Sequence, residues 1–394
     1  MKRFVNAQLI LPDTICENGF LIEDQGKIRG LGPMNKIPQG GVWETIACDG
    51  LYLAPGFIDI HCHGGGGYDF TDGTSEAIVK AAQFHLRHGT TTILPTTCAG
   101  SDANLFRAIE NFLAARKTRN NTPCLPGLHL EGPYFSKEQA GAQNPAHIRN
   151  PAPEHYNRIM EAAEGSILRW SAAPELEGAL EMARSLAPRR LVFSIAHSNA
   201  VYDEVAAAVD AGFTHVTHLY SGMSAITRRR GYRFLGVTES AYLLDSLSVE
   251  IIADGLHLPP ELLKLIVKCK DNNKICLVSD SMRGAGMDDG PSVLGGLDEG
   301  QPVVIENGIA KLPDRSAFAG SVATSDRLVR VMVQKAGLSI RDAVNMISRN
   351  PARVMGFADK GALESGKDAD LVLFDEGINV RRVFVNGVEA VIQG

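Results

Sequence analysis

The sequence predicts an α/β chain built as a parallel (β/α)8 barrel, with a small β-rich domain assembled from both chain ends. Three observations predict it. Eight short apolar runs alternate with longer, Ala-rich helical stretches through the middle of the chain. The two ends have a different texture, short strands punctuated by turns. Polar residues able to hold a cation recur at the C-terminal ends of the apolar runs, where a barrel of this kind places its chemistry.

The chain ends come first. FLIEDQGKIRGLG carries a polar turn at Gln25-Gly26 between two apolar runs, a hairpin signal. From about Lys360 onward, ADLVLFD and RRVFVNG repeat that texture. The strand-length runs of the middle are FIDIHCH (57–63), TTTILPT (90–96), GLHLEGP (127–133), ILRWSAA (167–173), LVFSIAH (191–197), THVTHLY (214–220), SVEIIAD (248–254) and ICLVSDS (275–281). Helical patterns such as SEAIVKAAQFHLRHG, YDEVAAAVDAG and PPELLKLIVKCK lie between them. This order places the barrel at 54–356 and joins 1–53 to 357–394 in an accessory domain. A doubly wound open sheet is the alternative.

Composition sets limits. The 394 residues include 45 Asp+Glu against 39 Lys+Arg, and 44% are hydrophobic. Such a chain is globular, and its mild acidity argues against general nucleic-acid or membrane-surface binding. No apolar run approaches the ~20 residues that span a bilayer. Asn6, Gln8, Pro12 and Asp13 interrupt any signal-peptide core after Lys2 and Arg3. Seven scattered cysteines without a C-x-x-C pair point to a reducing compartment, the cytoplasm.

The first run ends in His61-Cys62-His63. Alternation puts His61 and His63 on one face, roughly 6–7 Å apart, where they can bracket one cation; Asp59 shares that face. Glu131 ends the third run. A carboxylate there needs a partner, either a metal or an Arg or Lys. His197, His218 and Asp280 end the fifth, sixth and eighth runs. His129 lies deeper and reads as a supporting residue, and alternation turns His215 away from His218. The common position of these residues carries the reading: a divalent-metal site at the barrel mouth. Imidazole and carboxylate donors suit zinc, iron, manganese or cobalt.

APGFIDIHCHG, HLEGP, AHS, THLY, ADGLH, VSDS and AGS occur in that order. Together they resemble the motifs of the N-acetylglucosamine-6-phosphate deacetylases of the amidohydrolase superfamily. NPARVMGFADKGALESGKDADLVLFD is similar to that superfamily's return from barrel to accessory sheet. The resemblance implies a distorted (β/α)8 TIM-like barrel with a small β-sandwich, as a homodimer. It implies that Glu131, His197 and His218 hold one metal, that His61 and His63 hold a second where one is present, and that Asp280 is the general base. It also assigns His257 and Arg229 to the substrate and its phosphate. The TRRRGYR run at 227–233 is the local concentration of positive charge that a phosphate needs.

The implied reaction is metal-dependent removal of the N-acetyl group from N-acetylglucosamine-6-phosphate. Bound metal activates water and polarises the carbonyl, while Asp280 moves the proton to the leaving amine. Two departures bear on the substrate. Ser221-Gly222 replace the Asn-Ala of many relatives, which predicts a roomier pocket. Gln143 stands where some relatives carry a histidine that contacts the substrate carbonyl. N-acetylgalactosamine-6-phosphate is therefore an alternative substrate. A different amidohydrolase reaction, on cyclic amides or N-acyl amino acids, is a further one. The matching strand offers Glu131 and no lysine to bridge two metals, which favours the deacetylase. A non-catalytic scaffold is the third reading, against which the full set of ligands counts.

Overall fold

The computed structural model describes residues 1–117 and 121–391. All eight apolar runs form strands of one parallel sheet. They are Phe57–Cys62, Thr90–Thr97, Leu128–Glu131, Ile167–Ala172, Val192–Ile195, Phe213–Val216, Ser248–Ile251 and Ile275–Leu277. Each pairs with its neighbour in sequence, so the order never reverses as it would in a doubly wound sheet. Backbone bonds just past the strand ends close the ring. Asp280 N donates to His61 O (2.9 Å) and His63 N to Ser281 O (2.8 Å). Asp59 stitches the same seam, accepting from Ser279 Oγ at 2.5 Å and from His61 N at 3.2 Å. Burial pushes its carboxyl up to about 6. Asp59 is therefore spent on closure rather than on the site.

A helix follows every barrel strand, from Ser75–Leu86 after the first to Ser325–Gln334 after the last. Local chemistry sets their limits. Thr74 and Ser101 cap helix N-termini by accepting from Ala77 N and Asn104 N. Pro153 and Pro260 open helices at the position where a missing N–H costs nothing. Gly212 ends Tyr202–Ala211 at φ +111°. A three-stranded meander, Gly290–Leu294, Gln301–Glu306 and Ile309–Lys311, interrupts the last β–α connection.

The two chain ends meet in one eight-stranded sheet. Leu371–Phe374 pairs antiparallel with Tyr52–Pro55, which in turn runs parallel to Lys2–Ile10. The sheet encloses its own core of Phe4, Leu21, Leu53, Leu371, Leu373 and Phe384. Phe4 and Phe384 meet edge to face at 5.0 Å.

Candidate metal centre

His61, His63, Glu131, His197, His218 and Asp280 converge at the barrel mouth, all buried. Glu131 Oε1 lies 3.0 Å from His218 Nε2, 3.3 Å from His197 Nε2 and 3.6 Å from His61 Nε2. Its Oε2 lies 3.4 Å from His63 Nε2. Asp280 Oδ1 is 3.1 Å from His63 Nε2 and 3.4 Å from His61 Nε2. Two triads of donor atoms, Glu131/His197/His218 and His61/His63/Asp280, are each compact enough for a single ion.

The strands stop short of several of these residues. The sixth ends at Val216 and the eighth at Leu277, so His218 and Asp280 sit on the turns beyond. His197, His218 and Asp280 all have positive φ, at 45°, 25° and 46°. Such backbone is costly for residues with a Cβ and clusters at functional sites. The early end of the sixth strand also defeats the alternation argument for His215. That histidine does face the site's underside, with Nδ1 2.7 Å from Ser248 Oγ and Nε2 3.4 Å from Glu250 Oε2.

The donor chemistry fits a divalent cation. Among the described residues, the ion-pair partners of Glu131 are imidazoles, with no Arg or Lys. Burial works against its charge, but His61 and the His197 and His218 contacts hold its carboxyl well below the usual range. The far nitrogens of three imidazoles are anchored. His61 Nδ1 meets Glu250 Oε1 at 2.6 Å, His197 Nδ1 meets Gln139 O at 2.7 Å and His63 Nδ1 meets Cys98 Sγ at 3.3 Å. Anchoring one ring nitrogen aims the other, which is how metal-binding histidines are held.

A cavity of about 190 Å³ opens over these groups, lined by Gln143, Ser221, Gly222, His257, Leu294 and Phe318 among others. His257, which the resemblance assigned to the substrate, lines this cavity. Its side chain is 4% exposed, and Nδ1 lies 2.8 Å from Asp254 Oδ2. Gln143 accepts from Ala99 N at 2.8 Å, which turns its NH2 onto Glu131 Oε2 at 2.5 Å. Its amide thus serves the carboxylate. The room expected at Gly222 is filled: a Cβ there would lie 2.7 Å from His197 Nδ1. Arg229 is not brought to the cavity. It stands on an exposed hairpin, Thr227–Arg229 with Tyr232–Phe234, its guanidinium 5.3 Å from the Phe234 ring centre.

Two residues escaped the sequence reading. Glu250 and Arg169 lie inside the barrel beneath the site, 2.6 Å apart and fully buried. Burial opposes ionising Glu250, but Arg169 and His61 outweigh it and hold the carboxyl well below the usual range. The available signal was a charged residue inside each of two apolar runs, SVEIIAD and ILRWSAA. His129 completes this layer, with Nε2 2.7 Å from Ser171 Oγ and its ring centre 4.6 Å from that of His61.

The amidohydrolase family profile matches residues 52–390. This chain belongs to the amidohydrolase family. Among curated relatives of this amidohydrolase, the N-acetylglucosamine-6-phosphate deacetylase of Bacillus subtilis is 33% identical, over 94% of this chain and 92% of its own. The N-acetylgalactosamine-6-phosphate deacetylase of Escherichia coli O157:H7 is 32% identical, over 95% and 96%. Among solved structures, the N-acetyl-D-glucosamine-6-phosphate deacetylase of Mycobacterium smegmatis superposes with a TM-score of 0.90 at 29% identity, covering 99% of this chain and 100% of that one. The Thermotoga maritima N-acetylglucosamine-6-phosphate deacetylase gives 0.86 at 30% identity, with 99% and 100% covered. The family makes the chain a metal-dependent hydrolase, the relatives place it in the deacetylase branch, and its barrel carries the His and carboxylate groups such chemistry needs.

Proposed function

We propose that this amidohydrolase removes the acetyl group of N-acetylglucosamine-6-phosphate, giving acetate and glucosamine-6-phosphate in amino-sugar catabolism. The observation that carries this reading is the convergence of four imidazoles and two carboxylates under one open cavity. Glu131, His197 and His218 would hold one divalent ion, and His61 and His63 a second beside Asp280. Zinc is the first choice, with iron, manganese or cobalt as alternatives. Bound there, the ion supplies water acidic enough to act as a nucleophile near neutral pH and polarises the acetyl carbonyl.

The chain's own groups do the rest. Asp280 Oδ1, facing His61 and His63, takes the proton released by the attacking water and returns it to the amine nitrogen. Asp254 fixes His257 through Nδ1, which leaves Nε2 to bind the substrate. Ser221 and Gly222 contribute polar groups to the cavity wall. The hairpin bearing Arg229 exposes Ile226, Tyr232 and Phe234 beside its arginines. That surface suits a homodimer in which Arg229 reaches the partner's substrate phosphate. We place the enzyme in the cytoplasm, acting on a small molecule, with no nucleic-acid or membrane partner. No helix among the described residues is long and apolar enough to cross a membrane.

The E. coli relative, at nearly equal identity, favours a second reading in which N-acetylgalactosamine-6-phosphate is the better substrate. Acetate release from the two phosphorylated sugars, their free counterparts and N-acyl amino acids tests both readings. The glucosamine derivative should be turned over fastest, and free sugars at least tenfold slower. Preferred cleavage of N-acyl amino acids would sink both.

A further inference from the structure

We infer that Glu250 is a positioning residue for the metal centre. It makes His61 a strong ligand and ties the His61/His63 position to the Glu131/His197/His218 position. The inference rests on the proposed metal-dependent reading. Glu250 is the third of the four residues in Ser248–Ile251, inside the strand rather than beyond its end, and its side chain has no exposure.

Both of its oxygens are committed. Oε1 lies 2.6 Å from His61 Nδ1 and accepts from His218 N at 3.1 Å. Oε2 accepts from Arg169 Nη1 at 2.6 Å and lies 3.4 Å from His215 Nε2. Each oxygen already accepts, from His218 N and from Arg169 Nη1, so His61 is the donor of its contact and carries its proton on Nδ1. Its Nε2 lone pair is then free towards Glu131 and Asp280. The same oxygen holds the backbone of His218, whose φ of 25° needs an external restraint. One carboxylate thus touches a member of each donor triad.

The other imidazoles have weaker support. His197 is anchored by a backbone carbonyl and His63 by the Cys98 thiol, both neutral. Among the described residues, His61 alone of the four has a carboxylate behind it. Arg169 pairs with that carboxylate within the barrel at 2.6 Å, and is itself locked by Ser194 Oγ, Thr217 Oγ1 and Ile60 O. A pair formed for stability alone would need only Arg169 and Glu250. Here the second oxygen is turned onto a ligand.

The test is metal titration of apo-protein with Zn2+ and Co2+, together with the Co2+ absorption spectrum, for wild type and Glu250→Gln. Glu250→Gln should bind the ion at the His61/His63 position about 10–100-fold more weakly, the usual effect of losing such a partner. Its Co2+ spectrum should change and its stoichiometry after dialysis should fall towards one. Where the single variant fails to fold, Arg169→Met/Glu250→Gln removes both buried charges together and is measured instead. Two ions bound at wild-type affinity with an unchanged spectrum would overturn the role of Glu250 alone. So would a wild type that binds a single ion. A wild type that binds none would overturn the functional reading instead.

Discussion

Gly222 shows how finely the centre is built at single residues. Its φ is +55°, and a methyl there would sit 2.7 Å from His197 Nδ1 and 3.2 Å from Gln139 O. Those are the two atoms that bond to each other and aim His197. Gly222→Ala should therefore weaken metal binding by at least about tenfold, the low end for losing a supporting bond. Equilibrium dialysis against zinc checks this, and unchanged affinity would mean that His197 tolerates displacement. Asp280→Asn keeps the shape but cannot take a proton. Turnover should fall about 10²–10⁴-fold, the range for losing a positioned acid–base group. Near-wild-type kcat would remove Asp280 from that role. The groups gathered here were legible because His61, His63 and Glu131 end apolar runs that must be strands. Glu250 and Arg169 were not, because charge buried mid-strand becomes interpretable only once its partner across the barrel is known. Their pairing also makes single variants hazardous, since breaking a buried pair typically costs about 3–5 kcal/mol.

At the scale of elements, alternation and helical spacing located every barrel strand, but not where each one stops. His218 and Asp280 lie on turns of positive φ, set by contacts from other strands rather than by local propensity. The meander between the last strand and its helix also went unread. Its strands carry no pattern that separates them from a long loop, yet Leu294 from it lines the cavity. Packing between outer helices yields a prediction of its own. Asp326, at the start of Ser325–Gln334, lies 3.1 Å from His88 Nδ1 and 3.1 Å from Arg330 Nη2. Burial opposes its charge, yet His88 leads the contacts that bring its carboxyl down to about 2. A depressed carboxylate stabilises the fold above its unfolded value near 4, and that contribution is lost as pH falls through about 2. Asp326→Asn should cost about 2 kcal/mol at neutral pH and flatten the acid unfolding curve between about pH 4 and 2. Urea midpoints across that range check it; a parallel offset at every pH would mean the carboxylate's charge is not what matters.

Across the whole molecule, the two chain ends are joined where Leu371–Phe374 meets Tyr52–Pro55 within the terminal sheet. Lys360, beside this junction, bridges Asp368 at 3.0 Å and Asp370. The similar strand texture of the two ends made that pairing readable, whereas Arg229 was placed near a phosphate by the charge of the TRRRGYR run and by the resemblance, neither of which fixes where the hairpin stands. Within one chain its hairpin is exposed, and the work proposed for it involves a second copy. Arg229→Ala should raise KM for the phosphorylated sugar about tenfold or more, as loss of a charge-assisted contact does, and leave the free sugar unaffected. Equal changes for both substrates would speak against a phosphate contact. The central claim is that buried imidazoles and carboxylates at the barrel mouth hold a metal that drives amide hydrolysis of a phosphorylated amino sugar. Its most direct test is acetate release from N-acetylglucosamine-6-phosphate by chelator-stripped protein before and after a divalent metal is restored. Release should be negligible without metal, with stoichiometric acetate and free amine once it returns. Equal rates in both states, or no acetate from any phosphorylated N-acetylhexosamine with metal bound, would contradict it.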